Sequence, residues 1–559
     1  MIFFGPVLPS GRFDRLAAVV VVFTVATTVG AQSLDPSPAW LEPEVFYGQF
    51  GRSVWTAGDL NGDGYDDAIV GGPFYFTPCC PSVNQQGAVL VYYGSDSGLS
   101  PDYAWFEIGA NSGTTLGFRV RTAGDVDGDG YDDILFNSGS GFGDGTHAIH
   151  VRFGSPSGIV RAWNYDTGLM FGALGPSIDG GGDVNGDGYD DIVAGFPRLD
   201  NEAGRVLVFH GSSMGLPLMP DWTETGARRL GVEVAYAGDV HGDGYDDLLL
   251  CEEQSGTGLG QVYLYAGSTH GPANDPSWTY APPDLLCGQG NPLARAGDLN
   301  ADGYDDVAVG SHGAVRIFLG SSDGLADEPD QTLVGSGEFG HGVAGVGDIN
   351  ADGFADLGVG APDTVPESGP GKVYVLFGMW SGLYPEPLWT NAPIPQAENL
   401  GWSVAPAGDV NQDGLADLLA GDPDAPVFFN GRAVAFLNRA VLAAGPAGSI
   451  DGQGNASLRL AKTVDGRVTL TWGPSCTGES EDYTVYGGTL GDFTSHVPVS
   501  PCGIGGTRSW TVPVDDASRY YIVVPRSLDR EGSYGLDGAG LERPPSLLAC
   551  FAQAIAVCP

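Results

Sequence analysis

Asp59-Leu60-Asn61-Gly62-Asp63-Gly64-Tyr65-Asp66-Asp67 returns in close copy at Asp125, Asp183, Asp239, Asp298, Asp348 and Asp409. The copies place polar side chains at positions 1, 3, 5 and 9, glycine at position 6 and a bulky residue at position 7. That pattern describes a loop wrapped around a hard cation. Calcium suits it best, because calcium accepts six to eight oxygens at about 2.3–2.6 Å in flexible geometry, whereas magnesium retains water. In the first copy Asp59, Asn61, Asp63 and Asp67 offer side-chain oxygens and Tyr65 its carbonyl, while Gly64 permits the backbone turn. The corresponding candidate ligands are Asp125, Asp127, Asp129, Tyr131 and Asp133, then Asp183, Asn185, Asp187, Tyr189 and Asp191, then Asp239, His241, Asp243, Tyr245 and Asp247. The last three copies offer Asp298, Asn300, Asp302, Tyr304 and Asp306, then Asp348, Asn350, Asp352, Phe354 and Asp356, then Asp409, Asn411, Asp413, Leu415 and Asp417. Up to seven calcium ions are therefore expected.

An EF-hand begins the same way but needs a bidentate carboxylate at position 12 and a helix on either side. Here position 12 is Val70, Phe136, Ala194, Leu250, Val309, Val359 or Ala420, which excludes an EF-hand and a dockerin-like helical pair with it. Each loop is followed instead by a short apolar run, such as Ala68-Ile69-Val70 or Ile192-Val193-Ala194, bounded by Gly and Pro. Such runs read as buried strands, so the ion belongs in a β-hairpin loop.

Successive loops begin 66, 58, 56, 59, 50 and 61 residues apart, which is the spacing of a repeat architecture. Upstream of each loop stands another glycine, at 51, 117, 175, 231, 290, 340 and 401, usually after Phe or Leu. Downstream come a Gly-x-Pro type turn in several units, a strand such as Ala88–Tyr93 or Lys372–Phe377, a Gly-Ser-rich turn and a Trp-containing strand. Four strands per unit and seven units give an all-β chain with a seven-bladed β-propeller. Trp105, Trp163, Trp222, Trp278 and Trp389 mark outer strands, with Gln331-Thr332-Leu333 in that place in the fifth unit. The seventh unit lacks such a strand and an unassigned one surrounds Trp40, so the N-terminal strand is expected to complete the last blade and remove an open edge. The Trp side chains read as packing between blades rather than as a sugar-gripping surface.

Phe50-Gly51, the calcium loop and Gly360-Ala361-Pro362 together resemble the FG-GAP repeats of the integrin alpha-subunit propeller over about residues 38–440. The second and fourth units depart from that pattern in lacking the Gly-Ala-Pro turn. The resemblance implies a propeller that displays one face to a ligand.

The 559 residues are too many for one core, and 90 Gly with 39 Pro suit a chain of strands and tight turns. The formal charge of −45 is patterned, since the seven loops hold 27 Asp at positions 1, 3, 5, 8 and 9. No basic stripe exists to neutralise phosphates, so nucleic acid is excluded as a partner. Residues 1–31 read as a secretory signal: Arg12 and Arg15, an apolar stretch from Leu16 to Val29, then Val29-Gly30-Ala31 for cleavage. An uncleaved anchor is the weaker reading, because the stretch falls short of the ~20 residues a spanning helix needs. No transmembrane segment is expected in the mature chain, which is placed outside the cell or at its surface and expected to be a monomer.

The eight Cys suit an oxidising compartment. Cys476 with Cys502 and Cys550 with Cys558 are preferred pairs, Cys251 and Cys287 are placed to bridge neighbouring units, and Cys79 and Cys80 are left unassigned. A linker is expected over 441–454, a fibronectin type III-like sandwich over 455–545 with Trp472 in its core, and a tail over 546–559. Gly211-Ser212-Ser213-Met214-Gly215 and Gly320-Ser321-Ser322-Asp323-Gly324 match a nucleophile-elbow pattern, but they fall at a recurrent hairpin turn, so no catalytic residue is assigned. The expected function is calcium-dependent adhesion or ligand binding to a protein or glycan. The alternative is an exported polysaccharide lyase or phospholipase-like hydrolase that uses the propeller as scaffold.

Overall fold

A computed structural model describes residues 33–35, 37–41, 48–75, 85–139, 148–166, 177–253, 259–282, 292–362, 370–385, 399–425 and 430–439, with short stretches between them and the backbone of strands from 459 to 553. The leader at 1–31, the linker at 441–454, and Cys79, Cys80, Trp472, Cys476, Cys502, Cys550 and Cys558 lie outside the described residues. The chain divides into two compact units, the larger comprising Leu34–Ile349 and Gly353–Asn438.

The larger unit holds seven four-stranded antiparallel sheets, six of them built from strands taken in chain order. The first sheet runs Ser53–Gly58, Asp67–Gly72, Ala88–Tyr92 and Trp105–Ile108 from its inner to its outer strand. The inner strands of the other sheets are Val120–Gly124, Ser177–Gly182, Glu233–Gly238, Leu293–Gly297, Gly342–Gly347 and Ser403–Gly408. Neighbouring inner strands pack in sequence, and the seventh packs on the first, which closes the ring. Second strands such as Asp67–Gly72 and Asp191–Phe196 are buried throughout, which is why they read as continuous apolar runs.

The seventh sheet takes its outer strand from the N-terminus. Trp40 pairs with Ala435 and Leu41 with Val434, alongside Asp417–Ala425 and the inner strand Ser403–Gly408. Trp40 is 8% exposed, meets the Tyr92 ring edge-on at 4.9 Å, and donates its indole N–H to the Ser100 carbonyl of the first blade. The other outer-strand tryptophans repeat this relation to the blade that follows. Trp163 reaches Phe209 and Pro217, Trp278 reaches Phe318 and Ala326, and Trp389 reaches Phe436. Gln331, which stands for Trp in the fifth blade, donates its amide N–H to the Leu383 carbonyl at 2.8 Å. These rings bury large apolar surface and satisfy their polar edge, so they act as packing between blades.

Two glycines explain the repeat's other invariant spacing. A Cβ on Gly71 would meet the Gly117 carbonyl at 2.2 Å, and one on Gly360 would meet that of Gly401 at 1.9 Å. Backbone thus rests on backbone where one blade meets the next. In the two blades without the Gly-Ala-Pro turn, Asn137 and Cys251 accept the amide bond that Gly71 and Gly360 accept elsewhere. Cys251 is fully buried and forms a disulfide with Cys287, which lies in the connection from the fourth blade to the fifth.

In the smaller unit, Arg459–Lys462, Val468–Thr471 and Ser509–Val512 form one sheet. A five-stranded sheet contains Asp482–Thr489 and Arg519–Ser527, and a short strand at Ala552–Gln553 pairs with Arg530–Glu531 inside the segment read as a tail.

Candidate metal centres

Every candidate loop joins the inner strand of a blade to its second strand, as expected for a hairpin. The loop's own amides shape it. Asp59 Oδ1 accepts from the N–H groups of Gly62 (2.7 Å) and Asp63 (3.1 Å), and its Oδ2 accepts from Gly64 (2.9 Å). Asn61 Oδ1 accepts from Asp63 N–H, and Asp63 Oδ1 from Tyr65 N–H. The loop at Asp183 repeats this set bond for bond. The bond from the position-6 glycine to the position-1 carboxylate recurs in all seven, through Gly64, Gly130, Gly188, Gly244, Gly303, Gly353 and Gly414. Those glycines have φ between +86° and +93°, a region closed to most side chains.

The aspartate at position 9 stands at the start of the second strand and is fully buried in every blade. Its two oxygens are also structural. Asp67 Oδ2 accepts from Leu60 N–H and Oδ1 from Gly94 N–H, and Asp133, Asp191, Asp247, Asp306, Asp356 and Asp417 do the same in their blades. The residue therefore ties its loop to the turn after the third strand while keeping lone pairs for an ion. Burial pushes Asp67, Asp133, Asp191 and Asp417 up to about 8 and Asp306 up to about 7.

Position 8 carries a role that sequence reasoning missed. Asp132 Oδ2 accepts from the Asp59 N–H of the preceding blade at 2.8 Å, and Asp190, Asp246, Asp305 and Asp66 do likewise for Asp125, Asp183, Asp239 and Asp409. These aspartates clip each loop to the next, and Ala355 and Ala416 take the position in the sixth and seventh blades. The signal was present as an Asp-Asp doublet that ends five of the seven copies.

Two loops differ from the rest. In the fourth, His241 Nδ1 lies 2.6 Å from Asp247 Oδ2, and that hydrogen bond raises the imidazole's pKa above its usual value. The side chain at position 3 is thus turned onto position 9. In the second, Asp125, Asp127 and Asp133 bring one oxygen each within 4.8 Å of one another. Asp127 Oδ2 pairs with Arg161 at 2.6 Å, while its Oδ1 is buried and meets no hydrogen-bond partner. An orphaned carboxylate oxygen among two further carboxylates fits a hard divalent cation. The all-oxygen donor sets of the other five loops fit it as well.

The two serine motifs lie in strand-to-strand turns. Ser212 Oγ donates to the Gly215 carbonyl and Ser321 Oγ to that of Gly324, the same bond that Ser95 makes to Gly98. Neither motif opens a helix.

These sheets and loops define a seven-bladed β-propeller with one carboxylate-bearing hairpin loop in each blade. The chain carries FG-GAP repeats. A model described as FG-GAP repeat matches residues 50–92 and 174–209, and one described as FG-GAP-like repeat matches 298–359. The chain is similar to integrin alpha-8 of Gallus gallus, 33% identical over 177 residues that cover 28% of this chain and 16% of that protein. Integrin alpha-PS2 of Drosophila melanogaster is 32% identical over 240 residues, covering 39% of this chain and 16% of the relative. The chain thus spans about a sixth of the length of these relatives. Among the described residues, no helix is long and apolar enough to cross a membrane.

Proposed function

We infer that this chain is an exported, calcium-loaded propeller that acts without catalysis, in adhesion or in binding a protein or glycan ligand. The observation that carries the reading is the repetition of one amide-shaped, oxygen-lined loop in all seven blades, joined to likeness with integrin alpha subunits. The ligands are those read from the sequence. Position 1, 3, 5 and 9 side chains and the position-7 carbonyl hold the ion, with His241 as the poorest donor. Calcium supplies positive charge that offsets the crowded carboxylates, and the chain's own amides hold those carboxylates in place. Extracellular calcium modules operate at affinities of about 10⁻⁴–10⁻³ M, which matches an exported protein led by residues 1–31. The fibronectin type III-like unit serves as spacer or second contact, and the propeller works as a monomer.

The decisive experiment coats beads with the purified protein and measures retention on arrays of extracellular proteins and glycans, with calcium and with chelator. Calcium-dependent retention supports the reading. Release of sugars from a polysaccharide panel, with no retention, would favour the lyase alternative instead.

A further inference from the structure

Building on the reading of the loops as calcium sites, we propose that Arg161 is a built-in counter-charge that sets how tightly the second loop holds its cation. The second loop alone has aspartate at position 3, where the others have Asn or His, so it presents four carboxylates at positions 1, 3, 5 and 9. The second blade alone has a basic residue two positions before its outer-strand Trp. Tyr103, Pro220, Pro276 and Pro387 precede Trp105, Trp222, Trp278 and Trp389 in the same place. The extra negative charge and the extra positive charge therefore occur together, and the structure brings them into contact. Arg161 Nη2 reaches Asp127 Oδ2 at 2.6 Å while its guanidinium lies over the Phe153 ring, 3.7 Å from the centroid.

This geometry does two things. The ion pair neutralises one carboxylate, returning the second loop to the net charge of loops with Asn at position 3. It also fixes which oxygen of Asp127 remains: Oδ2 faces Arg161, and the buried Oδ1 is left without a partner among the carboxylates of Asp125 and Asp133. In the loops at Asp183 and Asp298 the position-3 Asn donates its own amide N–H to the position-5 aspartate, at 3.0 and 2.9 Å. Aspartate cannot donate, and an arginine from the outer strand brings the positive partner instead. Arg161 touches the carboxylate rather than the ion, so it is a positioning residue. A unit charge about 6 Å from a divalent ion, screened as in water, alters affinity about tenfold.

The test titrates the full chain with calcium against a chromophoric chelator and melts it in chelator and in saturating calcium. Arg161→Gln should create one site about tenfold tighter than in the parent, removed again by adding Asp125→Ala, and should melt lower than the parent in chelator only. Asp127→Asn should weaken one site about tenfold, Arg161→Lys should leave the isotherm near the parent's, and the Arg161→Gln, Asp127→Asn double variant should restore it. An Arg161→Gln isotherm that superposes on the parent's, or a melting loss equal in chelator and in calcium, overturns the proposal and reduces Arg161 to packing on Phe153. A parent chain that takes up no calcium at all would instead overturn the reading of the loops, and this inference with it.

Discussion

Removing calcium should lower the stability of the propeller by a large and countable amount. At affinities of about 10⁻⁴–10⁻³ M, 10 mM calcium saturates a site 10- to 100-fold over its dissociation constant, worth about 1.4–2.7 kcal/mol per site by mass action. Seven loops of one design would together contribute about 10–19 kcal/mol, on the scale of a domain's whole stability. For a ring of some 400 residues, where each kcal/mol moves the melting temperature by about 1–2 °C, excess chelator should lower it by tens of degrees. Asp63→Ala tests the arithmetic one site at a time. It removes a ligand and the bond that Tyr65 N–H makes to Asp63 Oδ1, so it should cost about 2–3 kcal/mol in calcium and about 1 kcal/mol or less in chelator. Scanning calorimetry across a calcium series reads both effects, and atomic absorption counts the ions. A melt unmoved by excess chelator, with no calcium found in the protein, refutes the reasoning.

Three further outcomes follow. The fourth site should fill only at higher calcium than the rest, because His241 is turned onto Asp247, and His241→Asn should bring it into line in the same titration. Trp40→Ala should cost about 3–5 kcal/mol and make the chain sensitive to limited proteolysis near the seventh blade, whereas a variant as resistant as the parent would contradict closure by the N-terminal strand. Without calcium, carboxyls raised to about 8, such as Asp67 and Asp133, hold more protons folded than unfolded between about pH 4 and 8. Calcium-free stability should therefore fall as pH rises across that window, and calcium should reverse the trend because protons and the ion compete. Melts at pH 5.5 and 8 with and without calcium read the sign.

The ring was legible because its signals are local. A nine-residue loop, a glycine and a tryptophan recur at fixed offsets, and each reports a contact that every blade must make with its neighbour. The strand around Trp40 belongs to the seventh blade for the same reason, since the sequence after residue 437 offers that blade no outer strand. What escaped were pairings between side chains far apart in sequence, across blades or across one sheet. Asp132 reads as one more loop carboxylate until Asp59 is seen donating to it. Arg161 likewise looks like an ordinary surface residue until it is found against Asp127, 34 positions away. The Cys251–Cys287 pair is suggested by the gap between units, and the structure forms it.

Closure through Trp40–Leu41 also sets a timetable. The bonds that complete the ring join residues 343 and 355 positions apart, from Asp409 to Asp66 and from Trp389 to Leu34. At synthesis rates of about 5–20 residues per second, the strand at Trp40–Leu41 waits about 20–80 s before Val434 and Ala435 exist. During that interval the growing array of blades has an open edge at each end. The waiting strand is only two residues long, so it offers other chains little to pair with, and the final seal depends on the indole of Trp40 finding Tyr92 and Ser100 after the last blade is made.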